Sequence, residues 1–140
     1  MCLLDEVLSW DVTRIRCRSS SHRAADNPLR AHGRLGAACG IEYAAQAMAV
    51  HGALVAASAP LANTVRSGLG TALGYLASVR NVVLNVARLD DLEADLIASA
   101  ERITGDARTV LYEFSVWEAA RPLLSGRASI VFAAAFGVNA

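Results

Sequence analysis

Between Gly40 and Ser58 the chain reads GIEYAAQAMAVHGALVAAS, a helical stretch that is apolar on nearly every side and interrupted only by Glu42, Gln46 and His51. A helix laid on a protein surface keeps a polar flank. This one lacks such a flank, so other parts of the chain must surround it. Its small residues (Ala44, Ala45, Ala47, Ala49, Gly52, Ala53) let neighbouring backbone approach closely. The helical pattern runs from about Gly36 to Ala57 and suits a long helix embraced by a curved sheet. A carboxylate and an amide one turn apart on such a helix need a chemical reason to be there, because removing them from water is costly.

The flanking segments supply the sheet. Val12 to Ser19 alternates apolar and polar residues with one slip of phase, as a half-buried strand does. MCLLDEVLSWD ahead of it reads as strand or helix edge, and its abrupt opening leaves room for a short preceding segment. SAPLANTVRSGLG, residues 58 to 70, breaks the helix with Pro60 and two glycines. Strand-like runs follow over Leu73 to Val86, Leu92 to Thr104, Arg108 to Ala119 and Leu123 to Ala134. Gly105-Asp106 and the stretch from Ala120 to Gly126 connect them, with Arg121-Pro122 as an ordinary turn. The expectation is one α+β domain over residues 1–140, with an antiparallel meander curled around the helix. Trp10, Tyr43 and Trp117 read as packing residues and His51 as structural.

Residues 19 to 34, SSSHRAADNPLRAHGR, have no sustained period, and Asn27-Pro28 disfavours helix there. Loops of this length in a compact domain tend to carry function, and this one holds His22 and His32.

Thirteen arginines balance thirteen acids, so no net field draws the chain to nucleic acid or to an anionic membrane surface. Cys2, Cys17 and Cys39 form neither a disulfide framework nor a zinc-binding pattern, which fits a reducing cytoplasm. No apolar run is long and clean enough for a membrane span, and no motif implies a metal or cofactor.

These segments together resemble the hotdog-fold 3-hydroxyacyl-(acyl carrier protein) dehydratases. CLLDEVLSWD is similar to the family's N-terminal segment, GIEYAAQAMA to its catalytic-helix box and GYLASVRNVVL to the strand that follows. H-R-x-x-x-N-P-L ahead of G-x-E-Y-x-A-Q-A most resembles the dehydratases of aryl-polyene pathways. The resemblance implies loss of water from a 3-hydroxyacyl thioester carried on acyl carrier protein, giving a trans-2-enoyl thioester in fatty-acid or polyene synthesis.

Carried over by position, the resemblance makes His22 the base for the Cα proton and Glu42 the acid for the β-hydroxyl, meeting across a dimer interface. Gln46 would steady the carboxyl group, and the Ala37 amide would donate to the thioester oxygen. The residue chemistry agrees. A carboxyl group drawn out of water holds its proton to higher pH, imidazole titrates nearest to neutrality, and amides at a helix start stabilise an oxyanion. Two departures stand out: Leu35-Gly36-Ala37 replaces an apolar residue, proline and glycine, and His22-Arg23-Ala24-Ala25 replaces a compact turn. His32 is a rival base, less favoured because His22 directly follows the strand.

Arg23, Arg30 and Arg34 flank the site and are candidates to dock an acidic carrier protein. A homodimer or larger homo-oligomer is expected, with a hetero-oligomer containing a related subunit also open. Two other activities remain: a hotdog thioesterase, and a non-catalytic partner of an active subunit, which the altered Leu35-Gly36-Ala37 segment favours.

Overall fold

The computed structural model describes residues 2–58, 74–106 and 108–132. Its elements are β1 (Glu6–Trp10), β2 (Arg14–Ser19), α1 (Gly40–Ala57), β3 (Gly74–Leu84), β4 (Leu96–Gly105), β5 (Thr109–Glu118) and β6 (Arg121–Phe132), with short 3-10 turns at Ser21–Arg23 and Ala37–Cys39. The six strands form one antiparallel sheet in the order β1-β2-β4-β5-β6-β3, and α1 packs on β2, β4 and β5. This is the expected central helix on an antiparallel sheet.

Alternation sets the two faces of the sheet. Leu96, Ala98 and Ala100 of β4 are buried with Val110, Tyr112, Phe114 and Val116 of β5, all on the helix side. From α1, Gly40, Tyr43, Ala44, Ala47, Met48 and His51 meet them, a stripe at three- and four-residue spacing. The opposite side of the helix, including Glu42, Ala45 and Ala49, stays partly or fully exposed. Within one chain the sheet therefore covers one face of a helix that the sequence marks as apolar all round. Gly40 sits at the contact with β6, where an added Cβ would collide with a Leu124 methyl group and force that side chain to shift.

Several boundaries differ from the sequence expectation, each for a local reason. β4 begins at Leu96, because Leu92 closes a turn by donating its N–H to the Leu89 carbonyl at 3.2 Å. Arg121-Pro122 opens β6 and is not a turn, since Ala119-Ala120 makes the reversal with Ala119 in the left-handed region at φ 51°. Val12 and Thr13 lie in the β1–β2 turn, where the Asp11 carboxylate accepts the Thr13 and Arg14 amides at 2.8 and 2.9 Å. The break over residues 58 to 70 and the end of the last predicted strand fall largely outside the described residues.

His51 is structural, as expected. Its Nε2–H donates to the Asp11 carbonyl at 2.8 Å, and its Nδ1 accepts the Tyr112 hydroxyl at 2.7 Å, which ties the β1–β2 turn to the helix.

Candidate active site

The segment after β2 is ordered by a chain of turns. Ala24 N–H bonds Ser21 O, Asn27 N–H bonds Ala24 O and Arg30 N–H bonds Asn27 O, so each link closes three residues further on. The irregular loop expected from the sequence is thus a staircase of tight turns. It ends in a two-residue reversal at His32-Gly33, both with positive φ (54° and 75°), where Ala31 and Arg34 exchange backbone hydrogen bonds. His32 lies at this exposed tip, whereas His22 lies fully buried in the 3-10 turn directly after β2.

A polar cluster that the sequence did not announce holds the staircase to the helix. The Asn27 side-chain amide donates to Ser21 O at 2.8 Å and to the Tyr43 hydroxyl at 3.0 Å. The Tyr43 hydroxyl and Ser21 Oγ are 2.8 Å apart, and Ser21 Oγ donates onward to Leu3 O at 2.8 Å. With Asn27 donating to it, the Tyr43 hydroxyl passes its own proton to Ser21. Tyr43 is therefore both a core residue and the helix's anchor for the His22 turn. Asn27 could have been suspected from its place before Pro28, since its Oδ1 accepts the Leu29 amide in an Asx turn at 2.8 Å.

His22 has one ring nitrogen committed and one free. Nε2 lies 3.0 Å from the Leu92 carbonyl, which can only accept, so Nε2 carries the hydrogen. Nδ1 then keeps its lone pair, and it is buried with no hydrogen-bond partner among the described residues. Burial is the main influence lowering the His22 pKa from its usual value, partly opposed by the hydrogen bond to Leu92. A neutral imidazole with a fixed tautomer and an unengaged, desolvated nitrogen is suited to accept a proton from carbon.

Glu42 lies in the first turn of α1, half-buried on the side that the sheet leaves open, and its carboxylate makes no hydrogen bond or ion pair among the described residues. Among the described residues no carboxylate is hydrogen-bonded to His22. The Gln46 carbonyl accepts the Leu3 amide at 2.9 Å, so this residue anchors the N-terminal segment to the helix.

Two expectations need correction. The Ala37 amide is already donated to the Ala87 carbonyl at 3.1 Å and is not free for a thioester oxygen. Arg30 is not a free docking cation either. Its guanidinium bonds the carbonyls of Ala24 at 2.8 Å, Gly33 at 3.1 Å, and His22 and Arg23 at 3.4 Å, which staples the staircase from inside. Arg23 is shared between Glu93 O and the Asp95 carboxylate, both at 2.8 Å, and this pairing, followed by that with Arg18, lowers the Asp95 pKa. Arg34 is exposed, with no ion pair among the described residues.

Among the described residues no group of three His, Cys, Asp or Glu side chains is placed to hold a metal ion, and no helix is long and apolar enough to cross a membrane.

A family profile described as ApeP-like, ApeP dehydratase, matches residues 1–136. No curated protein sequence matches the chain. Among solved structures, the dehydratase heterocomplex ApeI:P from Xenorhabdus doucetiae is similar at a TM-score of 0.72 and 20% identity, covering 94% of this chain and 82% of that one. A mutant thioesterase from Pseudomonas aeruginosa gives 0.60 at 12% identity, with 90% and 78% covered. A hypothetical thioesterase from Streptococcus pneumoniae, solved with coenzyme A, gives 0.63 at 8% identity, with 91% and 86% covered. These structural likenesses establish the hotdog fold.

Proposed function

The chain belongs to the ApeP-like dehydratase family, and on that premise we propose that it removes water from a 3-hydroxyacyl thioester carried on acyl carrier protein, with His22 as base and Glu42 as acid. The observation that carries this reading is the His22 ring, whose tautomer is set by Leu92 O while Nδ1 stays buried and unengaged. Nδ1 takes the Cα proton, and the electrons of that C–H bond form the Cα–Cβ double bond. The Glu42 carboxyl gives its proton to the departing β-hydroxyl, which leaves as water.

A second hotdog subunit is part of the proposal, because Glu42 occupies the uncovered side of α1 and no acid is bonded to His22 among the described residues. The subunit would dock along β3. This strand is a sheet edge and exposes Tyr75, Leu76, Val82, Val83 and Leu84, with 38% to 54% of each residue's surface accessible. An edge that long and apolar invites pairing with another strand. The uncovered small residues of α1 would then line an acyl tunnel, with Glu42 of one subunit facing His22 of the other. Since the Ala37 amide is engaged, the exposed Ala38 takes over as amide donor to the thioester oxygen. We place the protein in the cytoplasm, acting in polyene or fatty-acid synthesis, with Arg34 offered to the acidic carrier, since Arg23 is already paired with Asp95.

The second subunit can be a copy of this chain or a related protein, and the similar ApeI:P structure is itself a heterocomplex. Mixing folded His22→Ala and Glu42→Gln variants distinguishes the two. Each variant alone should be inactive on a 3-hydroxyacyl carrier-protein thioester. Recovery of activity after subunit exchange supports a shared homodimeric site. An inactive wild-type protein that gains activity only with a copurifying hotdog subunit would make this chain the partner. Release of free acid would make it a thioesterase and end the dehydratase reading.

A further inference from the structure

The segment between β3 and β4 touches both the His22 ring and the approach to α1, and its fixed point is Asp90. The side chain is 6% exposed. Asp90 Oδ1 accepts the Leu35 amide at 2.9 Å and Arg88 Nε at 3.0 Å, and Oδ2 accepts the second Arg88 nitrogen. Arg30, the staple of the His22 staircase, brings its guanidinium to 3.8 Å from Oδ2. The Leu89 amide bonds Leu35 O at 2.8 Å and the Ala37 amide bonds Ala87 O, so residues 87–90 are stitched to residues 35–37. Asp90 lies inside the tight turn closed by Leu92 N–H and Leu89 O, and the same Leu92 offers its carbonyl to His22 Nε2. These groups explain what holds the base in place, which no contact of the imidazole itself reveals.

We propose that Asp90 is a positioning residue for the base: by locking the Leu89–Leu92 turn to Leu35, it fixes the carbonyl that sets the orientation and tautomer of His22. Asp90 touches no reacting atom, and its effect passes through Leu92. Without the lock the Leu92 carbonyl drifts, the ring rotates, and Nδ1 is no longer aimed consistently. Displacements on the order of 1 Å in such an arrangement cost up to about a hundredfold in rate. Because a misaligned base acts after substrate is bound, the loss falls on kcat while KM stays within about twofold.

The proposal rests on His22 being the base, so its test includes a reading that needs no turnover. In the wild type the His22 Nε2–H, buried and bonded, should give a solvent-protected imidazole N–H signal in ¹H–¹⁵N NMR. Asp90→Ala should abolish that signal and lower kcat by at least about tenfold. Asp90→Asn keeps an acceptor for the Leu35 amide but loses the ion pair with Arg88. It should keep the signal, with faster solvent exchange, and retain kcat within about threefold. Asp91→Ala, at the exposed neighbour, should match the wild type in both readings.

A protected signal and unchanged kcat in Asp90→Ala would overturn the proposal, as would loss of the signal in Asp91→Ala. If Asp90→Ala does not fold, Asp90→Asn decides: faster exchange supports the lock and unchanged exchange refutes it. If the signal responds as expected while the wild type dehydrates nothing, the positioning stands and the assignment of His22 as a dehydratase base falls.

Discussion

Replacing Tyr43 by Phe removes one oxygen from the centre of the molecule and keeps the ring that fills the core. In the native protein that oxygen receives an Asn27 N–H at 3.0 Å and gives its hydrogen to Ser21 Oγ at 2.8 Å, in a residue with no exposed surface. Ser21 keeps other partners in Leu3 O and Ser19 Oγ. Asn27 keeps its bond to Ser21 O but is left with one buried N–H unsatisfied. The cost is one net hydrogen bond of about 1 kcal/mol plus part of a desolvation penalty of similar size, giving roughly 1–3 kcal/mol. With an unfolding entropy of about 2.1 cal/mol/K per residue, a chain of this length loses ~3 °C of Tm per kcal/mol, so the midpoint should fall by roughly 3–10 °C. Thermal unfolding followed by circular dichroism measures it. Combination with Asn27→Ala should be clearly less than additive, because both changes break the same link. A midpoint within about 1 °C of the wild type, or full additivity of the two changes, would refute the view that this hydroxyl ties the His22 turn to the helix.

His51→Phe should destabilise by about 2–3 kcal/mol, because it strands the Asp11 carbonyl and the buried Tyr112 hydroxyl, yet leave the dehydration rate per folded molecule unchanged; denaturant melts and kinetics check both. Gly126→Ala places a Cβ 2.8 Å from the Phe114 ring and 3.2 Å from Arg80 O and should cost about 1–3 kcal/mol in the same melts. With His22 as the proposed base, its depressed pKa should put the acidic limb of kcat/KM below the usual imidazole value, so activity should persist as pH falls to about 6.5 and be lost only as the folded-state His22 protonates. The same depression affects stability. Between the unfolded value near 6.5 and the lower folded value, the unfolded chain binds the extra proton, so the His22 contribution to stability declines as pH falls through that window. A His22→Gln variant should lack this part of the pH dependence of unfolding.

The elements with strong periodicity were legible in the sequence. The apolar stretch from Gly40 announced a core helix, and the alternation in β4, β5 and β6 announced a meander, because burial on one face imposes those patterns directly. The fold and family followed from GIEYAAQAMA and the segments around it. Backbone commitments were not legible. No residue pattern says that the Ala37 amide is spent on Ala87 O, or that Arg30 faces four carbonyls instead of solvent. The turn at Ala119 lacks the glycine or asparagine that usually marks positive φ, so the sequence places the reversal too late and makes Arg121-Pro122 an ordinary turn. Nothing in the sequence singles out Asp90 or Asp95, because their partners Leu35 and Arg23 lie more than 50 residues away. His22 could be singled out by its place after β2, but the feature that suits it to the proposed role of base, an unpartnered Nδ1 opposite a bonded Nε2, exists only in three dimensions.

The central claim is that His22 takes a proton from Cα and that water leaves. The most direct test is mass spectrometry of a 3-hydroxyacyl carrier-protein thioester incubated with the wild type, His22→Ala and His32→Ala, each with any copurifying subunit retained. The account predicts loss of one water with the wild type and His32→Ala and none with His22→Ala. Undiminished loss of water with His22→Ala, or its disappearance only with His32→Ala, would contradict it.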